Sequence, residues 1–407
     1  MVWLVNPAGE RTLSLGVNHV EPKLMLMPYN REQTLARYGQ DFVSGQEFNP
    51  AGAGARKFTQ GVLANLSDWG FNTLGYHTTL PSSLFRTAVA YCPLARPISL
   101  SRLDAEFVDV FAADVAARID TGIRAIVEPA RDEPNILGWY FNDVPPYDPA
   151  LSHRISAVHP WVQTLLALPA GSPGKATLID VLKTRYASAS EAAQACGQSA
   201  SSWEGLAAIT EWSRLLAADE EALLSKIVDR WYALQCDAVR RYDPNHLILG
   251  DKISIGSVRA GPGATGGLPS YLLPILAKYV DVVTIQWYGY FPDQAATLRS
   301  IHAATGKPIL LGDSSFAAIQ PRQNGQSKGV IVDSEAEVGK AFAEYLQAAL
   351  AEPYIIGWHF CGYVESYAGP NGRMQPQCGF IDPFEVPHEE ALSQVRAANA
   401  AATRWHG

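Results

Sequence analysis

Eight short, apolar, β-rich runs recur along this chain, most of them separated by segments of helical periodicity. They are Leu13–Asn18, Thr73–His77, Arg86–Tyr91, Ile136–Asn142, His246–Gly250, Val282–Tyr288, Ile309–Asp313 and Ile355–His359. Val282–Ile285 and Ile309–Leu311 are nearly continuous in apolar character, the pattern of strands covered on both faces. Amphipathic stretches at Ala105–Ile119, Ala222–Arg241 and Glu335–Leu350 supply helices to cover them. Strands alternating with helices predict a parallel sheet, and eight such units close into a (β/α)8 barrel more naturally than they extend an open sheet. The competing doubly wound fold lacks its glycine fingerprint after the first strand. From His77 to Arg86 there is hardly room for a helix, so the second barrel helix is expected to be degenerate or absent.

At 407 residues the chain exceeds the usual single domain, yet one barrel with insertions accommodates it. The expectation is a single catalytic barrel domain over 1–407 with two insertions. Glu21–Arg56 reads as a loop with a flexible run at Pro50–Gly54; Val144–Thr210 is partly helical, at Ala176–Tyr186. Both follow strand ends and should cover the C-terminal face, where barrel active sites lie. A net charge of −8 with no basic stripe argues against nucleic acid as a partner. Cys92, Cys196, Cys236, Cys361 and Cys378 are scattered, odd in number and without a C-x-x-C pair, which disfavours a disulfide framework and a zinc knuckle. Buried thiols and an opening without a leader-like apolar stretch suit the cytoplasm, and no run approaches membrane-span length. Oligomeric state is not legible.

Polar residues at the C-terminal ends of barrel strands point into the site. Those ends carry Asn18, His19, His77, Asn142, Asp143, Lys252, Gln286, Trp287, Tyr288, Tyr290, Asp313, Trp358 and His359. Two carboxylates on opposed strands, Asp143 and Asp313, among aromatics and amides suit a sugar. Rings stack on the apolar faces of pyranoses, amides and imidazoles bind hydroxyls, and glycoside hydrolysis needs two carboxyl groups.

The segments GFNTLGYHT (Gly70–Thr78), GWYFNDVP (Gly138–Pro145), VDVVTIQWYGYFP (Val280–Pro292), KPILLGDSSF (Lys307–Phe316) and IIGWHFCGYVES (Ile355–Ser366) make the likeness specific. They resemble the exo-β-agarase and β-galactosidase families of the large retaining (β/α)8 glycosidase superfamily, over Gly16 to about Phe384. That resemblance implies an acid/base at Asp143, after Asn142 on strand four, and a nucleophile at Asp313 on strand seven. It further implies a nucleophile-orienting tyrosine at Tyr288 and a sugar-platform tryptophan at Trp358. Both family glutamates are aspartates here, each shorter by about 1.5 Å. With the backbone unmoved, a pair at the retaining separation of about 5–5.5 Å opens toward the roughly 6.5–9.5 Å of inverting enzymes. Glu365, just past strand eight, is the carboxylate in reserve.

Each residue also has a plainer reading. Asp143 caps a helix of the insertion and Asp313 holds a turn. His19 and His77 are structural hydrogen-bonders, the aromatics are core, and Asp251 pairs with Lys252 at the rim. Cys361 is a packing residue, no partnered histidine motif being evident. No cofactor is expected; with no H-x-H pair or ligand spacing, neither is a metal. The leading expectation is therefore a glycoside hydrolase acting on a β-linked, galactose-containing sugar, with Asp143 holding a proton at raised pKa. The alternatives are a carbohydrate-binding barrel that has lost hydrolysis and a metal-dependent lyase or hydrolase. His19, His77, His359, Lys252 and Arg373 near the mouth further suggest tolerance of acidic sugars.

Overall fold

The computed structural model describes residues 1–149, 158–255, 268–318, 329–366 and 378–406. Its main sheet has eight parallel strands: β1 (Ser14–Val17), β2 (Thr73–Leu74), β3 (Ala90–Tyr91), β4 (Gly138–Asp143), β5 (Leu247–Ser254), β6 (Val283–Gln286), β7 (Ile309–Ser314) and β8 (Ile355–Phe360). The order is β3-β2-β1-β8-β7-β6-β5-β4, and parallel bridges Tyr91–Ile136 and Leu94–Tyr140 join its two ends. The sheet is thus a closed (β/α)8 barrel, and each strand falls on one of the eight apolar runs.

Between β2 and β3 there is only a 3-10 turn at Ser82–Leu84, as the spacing requires. The helix expected at Ala105–Ile119 lies instead at Ala113–Val127. The preceding residues are held out of helix because the Asp109 carboxylate accepts from Phe111 N and, at 2.9 Å, from Gly174 N at the start of helix Pro173–Arg185. Long-range capping here outweighs local periodicity. The expected helix at Ala222–Arg241 runs longer, Ala217–Tyr242, and Glu335–Leu350 is as read.

The first insertion is more ordered than its sequence suggests. It contains helix Arg31–Tyr38 and a two-stranded ribbon (Val43–Ser44 with Glu47–Phe48), clamped by contacts of Tyr38, Phe42, Phe48 and Phe58. Its glycines serve close approach: a Cβ on Gly52 would lie 2.1 Å from Asp41 O, and one on Gly54 2.6 Å from Tyr38 O. Asp41 then accepts from Ala53 N and Gly54 N, opening helix Ala53–Trp69. In the second insertion Trp161 packs edge-on against Trp231 of the long barrel helix, which anchors the insertion beside β4 and β5.

Neighbouring residues on a strand face opposite ways, so each strand divides its side chains between lumen and helix layer. On β8, Trp358 faces the helices, 4.4 Å from Tyr345 and 4.7 Å from Phe342, while His359 faces the lumen and meets Ser14 Oγ at 2.8 Å. Phe342 sits at the centre of this outer layer, also touching Phe71, Phe360 and Phe380. Phe342→Ala is expected to cost about 3–5 kcal/mol through the cavity it leaves, read as a lowered denaturant midpoint with helix content retained before the transition.

Candidate active site

At the C-terminal end of the barrel, Asp143 of β4, Lys252 of β5 and Asp313 of β7 meet. Lys252 Nζ lies 3.0 Å from Asp143 Oδ1 and 2.5 Å from Asp313 Oδ2. The two facing carboxylate oxygens are therefore at most about 5.5 Å apart. A shared ammonium draws the two carboxylates together. The contact to Asp313 is a hydrogen bond, whereas that to Asp143 is an ion pair without hydrogen-bond alignment. Lys252 is fully buried, with its Nζ 4.8 Å from the Tyr76 ring centre.

The expectation that Lys252 pairs with Asp251 is overturned by strand alternation. Asp251 faces the opposite way, accepting from Tyr147 Oη at 2.6 Å and from Asn142 Nδ2 at 2.9 Å. Asn142 is itself fully buried and also accepts from Leu100 N, so it braces the end of β4. Asp313 is braced by Asn18, whose Nδ2 donates to Gly312 O at 2.8 Å and to Asp313 Oδ1 at 3.1 Å. Gly75 makes room for that amide; a Cβ there would lie 2.0 Å from Asn18 Oδ1.

Two histidines flank the pair. His77 Nε2 meets Asp143 Oδ2 at 3.1 Å, and its ring stacks on His19 at 4.3 Å. His19 Nδ1 lies 2.5 Å from Glu21 Oε1, which sequence reading passed over although the two are separated by one residue. His19, His77 and Val144 all have positive φ (56°, 63° and 49°), strained values for side-chain-bearing residues within three positions of the ends of β1, β2 and β4. Such strain clusters where a fold holds functional side chains in place.

Charge orders the protonation states. Burial opposes ionisation of Asp143, but Lys252 and the His77 hydrogen bond outweigh it and hold the carboxyl well below its ordinary range. Asp313 is lowered likewise, against burial, by Lys252 and His19. Burial would neutralise Lys252, yet the two aspartates raise its pKa. Burial and the Lys252 charge push His77 down to about 4, so it is neutral near pH 7. Against burial, the Cys361 thiol and the Glu21 carboxylate raise His19. The raised pKa expected for Asp143 is therefore reversed in the free protein, where both members of the pair are ionised.

The remaining candidates divide. Gln286 is buried at the end of β6 with its Oε1 unpartnered among the described residues. Trp287 is half-buried, and Tyr290 is exposed and packs on Phe316. Tyr288 lies against Ala317, Cys361 and Cys378; burial, with Asp313 next in weight, drives its phenol far up. Trp358 is 2% exposed and bonds Ser314 Oγ, so its ring is not offered to a ligand. His359 is buried in the lumen and held neutral by burial, its pKa down to about 3. Glu365 accepts from His388 Nε2 at 2.8 Å in a separate small cavity lined by Glu335, Phe316 and Cys378. Arg373 lies outside the described residues. Of the other residues in the expected positive cluster, Lys252 is doubly paired, His77 is neutral, His359 is interior and His19 is raised toward the charged form. Cys361, read as packing, proves to neighbour both His19 and Asp313.

No protein-family model matches the chain. Beta-agarase B of Vibrio sp. (strain JT0107) is 24% identical over 240 residues, spanning 56% of this chain and 23% of that protein. Among solved structures, an exo-beta-agarase superposes with TM-score 0.72 at 21% identity, over 92% of this chain and 49% of its own. An agarase, AgWH50C, gives 0.75 at 17% identity, over 99% and 64%. The chain thus spans less than two thirds of the length of these relatives, and what it shares with the solved ones is the barrel fold. No described helix is long and apolar enough to cross a membrane.

Lys252→Met removes the cation between two buried carboxylates, which is expected to destabilise the fold by about 3–5 kcal/mol at pH 7. In the native protein Asp143 and Asp313 titrate below their unfolded values, so their contribution is present above about pH 4 and fades below it. Without Lys252, mutual repulsion and burial raise at least one of them above its unfolded value, and stability is then lost as pH rises through that value. The deficit of the variant in urea unfolding should accordingly shrink from pH 7 to pH 4; a pH-independent deficit contradicts the pairing.

Proposed function

We propose that this chain is a glycoside hydrolase acting on a β-linked sugar, with Asp313 as nucleophile and Asp143 as acid/base. The observation that carries this reading is the strand-four and strand-seven carboxylate pair, whose oxygens share Lys252 and lie no more than about 5.5 Å apart, which supports a close-set pair of the retaining kind. Asp313, ionised and braced by Asn18, suits attack at an anomeric carbon. Asp143 is the more accessible of the two, its side chain 27% exposed against 3%. A sugar entering over Asp143 and His77 would separate Lys252 from its weaker partner. Asp143, now beside an ionised carboxylate and shielded from water, then takes up the proton it must give to the leaving oxygen. Trp287 and Tyr290, less buried than Trp358, are the described aromatic rings near β6 to stack on the sugar. Agaro-oligosaccharides and other β-galactosides are the substrates to try first, given the agarases that share the fold.

One observation favours a second reading, a carbohydrate-binding barrel without turnover: Lys252 neutralises both carboxylates in the free protein. Calorimetric sugar binding with no product from pH 4 to 8 would select it.

In the hydrolase, Asp143→Asn should reduce cleavage of glycosides with poor leaving groups on the order of 100-fold and spare activated aryl glycosides. Asp313→Asn should lower both by ~1,000-fold or more. Early products followed by NMR should keep the β configuration; inversion would remove Asp313 as nucleophile.

A further inference from the structure

We propose that His19, Asp313 and Cys361 form a binding site for one divalent transition-metal ion of the zinc class. This goes beyond the hydrolase reading and stands without it. The three residues follow or end β1, β7 and β8, are all buried, and offer a ring nitrogen, a carboxylate oxygen and a sulfur within 4.8 Å of one another. Metal–ligand bonds of about 2.0–2.3 Å require these atoms to close by roughly an ångström, within reach of small side-chain rotations. One thiolate, one imidazole and one carboxylate suit Zn2+ or Co2+ rather than Mg2+ or Ca2+, which prefer all-oxygen shells.

The surroundings point the same way. His19 turns Nδ1 to Glu21 at 2.5 Å, which leaves Nε2 as the ligand nitrogen. A carboxylate on the far ring nitrogen is the usual support of a metal-bound histidine, fixing tautomer and ring orientation. Glu21 is steadied in turn by Lys23 Nζ at 2.5 Å from Oε2. The positive φ of His19 keeps its ring in this position against local preference. Asp313 gives one oxygen to Asn18 and the other to Lys252, and each retains a lone pair. Lys252 is the electrostatic opponent of a cation here, but its ammonium also has Asp143 at 3.0 Å. Both the His19 imidazolium and the Cys361 thiol must lose a proton on binding, so affinity should rise with pH. A metal in this position engages the carboxylate on which sugar cleavage would depend, so zinc should compete with turnover.

The test is a titration of the full chain, thiols kept reduced and no sugar present, with Co2+. Expected are one equivalent bound, visible d–d bands, and a near-ultraviolet sulfur-to-cobalt charge-transfer band, all displaced by Zn2+ and not by Mg2+ or Ca2+. Cys361→Ser should abolish the charge-transfer band, and Cys196→Ser, with its thiol in the second insertion, should keep it. Glu21→Gln should weaken Zn2+ binding by roughly 10–100-fold while keeping the band, as loss of an outer-shell partner does. No charge-transfer band, or a band undiminished in Cys361→Ser, overturns the site. Should Cys361→Ser fail to fold, unchanged zinc affinity in Glu21→Gln overturns it instead. Because no sugar enters these measurements, their failure leaves the hydrolase reading intact.

Discussion

One ammonium group organises the mouth of this barrel. Lys252 is fully buried and reaches two carboxylates from different strands at 3.0 and 2.5 Å. Removing Lys252 leaves two carboxylates uncompensated at a buried site, which is why the three groups must be considered as a unit. The cluster also joins β4, β5 and β7 at the end of the barrel where the sheet registers shift. A cation between the two carboxylates holds them closer than two like charges would otherwise sit.

The same cation sets the chemical problem of the site. The retaining mechanism proposed above requires one carboxyl group with a proton and one without. Here the free protein holds both without, and His77 beside Asp143 is held neutral. Asymmetry comes from exposure and alignment: Asp313 is buried and hydrogen-bonded to Lys252, while Asp143 is partly open to solvent, bonded to His77 and only ion-paired with Lys252. A ligand therefore acts first on Asp143. Catalysis and binding without turnover differ in whether that encounter moves Lys252 far enough to change the protonation of its partner.

Around this centre the molecule separates two kinds of support. The strained residues His19, His77 and Val144 lie just past the strand ends, and the two histidines stack on each other beside Asp143. Outside, Trp358, Tyr345 and Phe342 form an aromatic layer between β8 and its helix, and Trp161 with Trp231 ties the second insertion to the barrel wall. Among the described residues, the aromatic side chains thus serve mostly the wall, while Trp287 is half-buried and Tyr290 exposed.

Apolar runs of strand length, repeated eight times with helices between, settled the barrel, because burial on both faces leaves few other ways to cover such strands. Strand ends likewise located Asp143 and Asp313, since position along a strand is a local property. What the sequence could not carry was direction and pairing. Whether Trp358 or His359 faces the lumen is decided by strand parity within the closed sheet, and the sugar platform implied by resemblance became part of the wall. Asp251 and Lys252 are adjacent in the chain yet turn to opposite sides. Lys252 meets aspartates 109 and 61 residues away, and Cys361 meets His19 from the far end of the chain; no spacing motif encodes such neighbours. Protonation followed from those encounters: the proton assigned to Asp143 on its position alone is displaced by a charge that only the folded barrel brings within 3.0 Å.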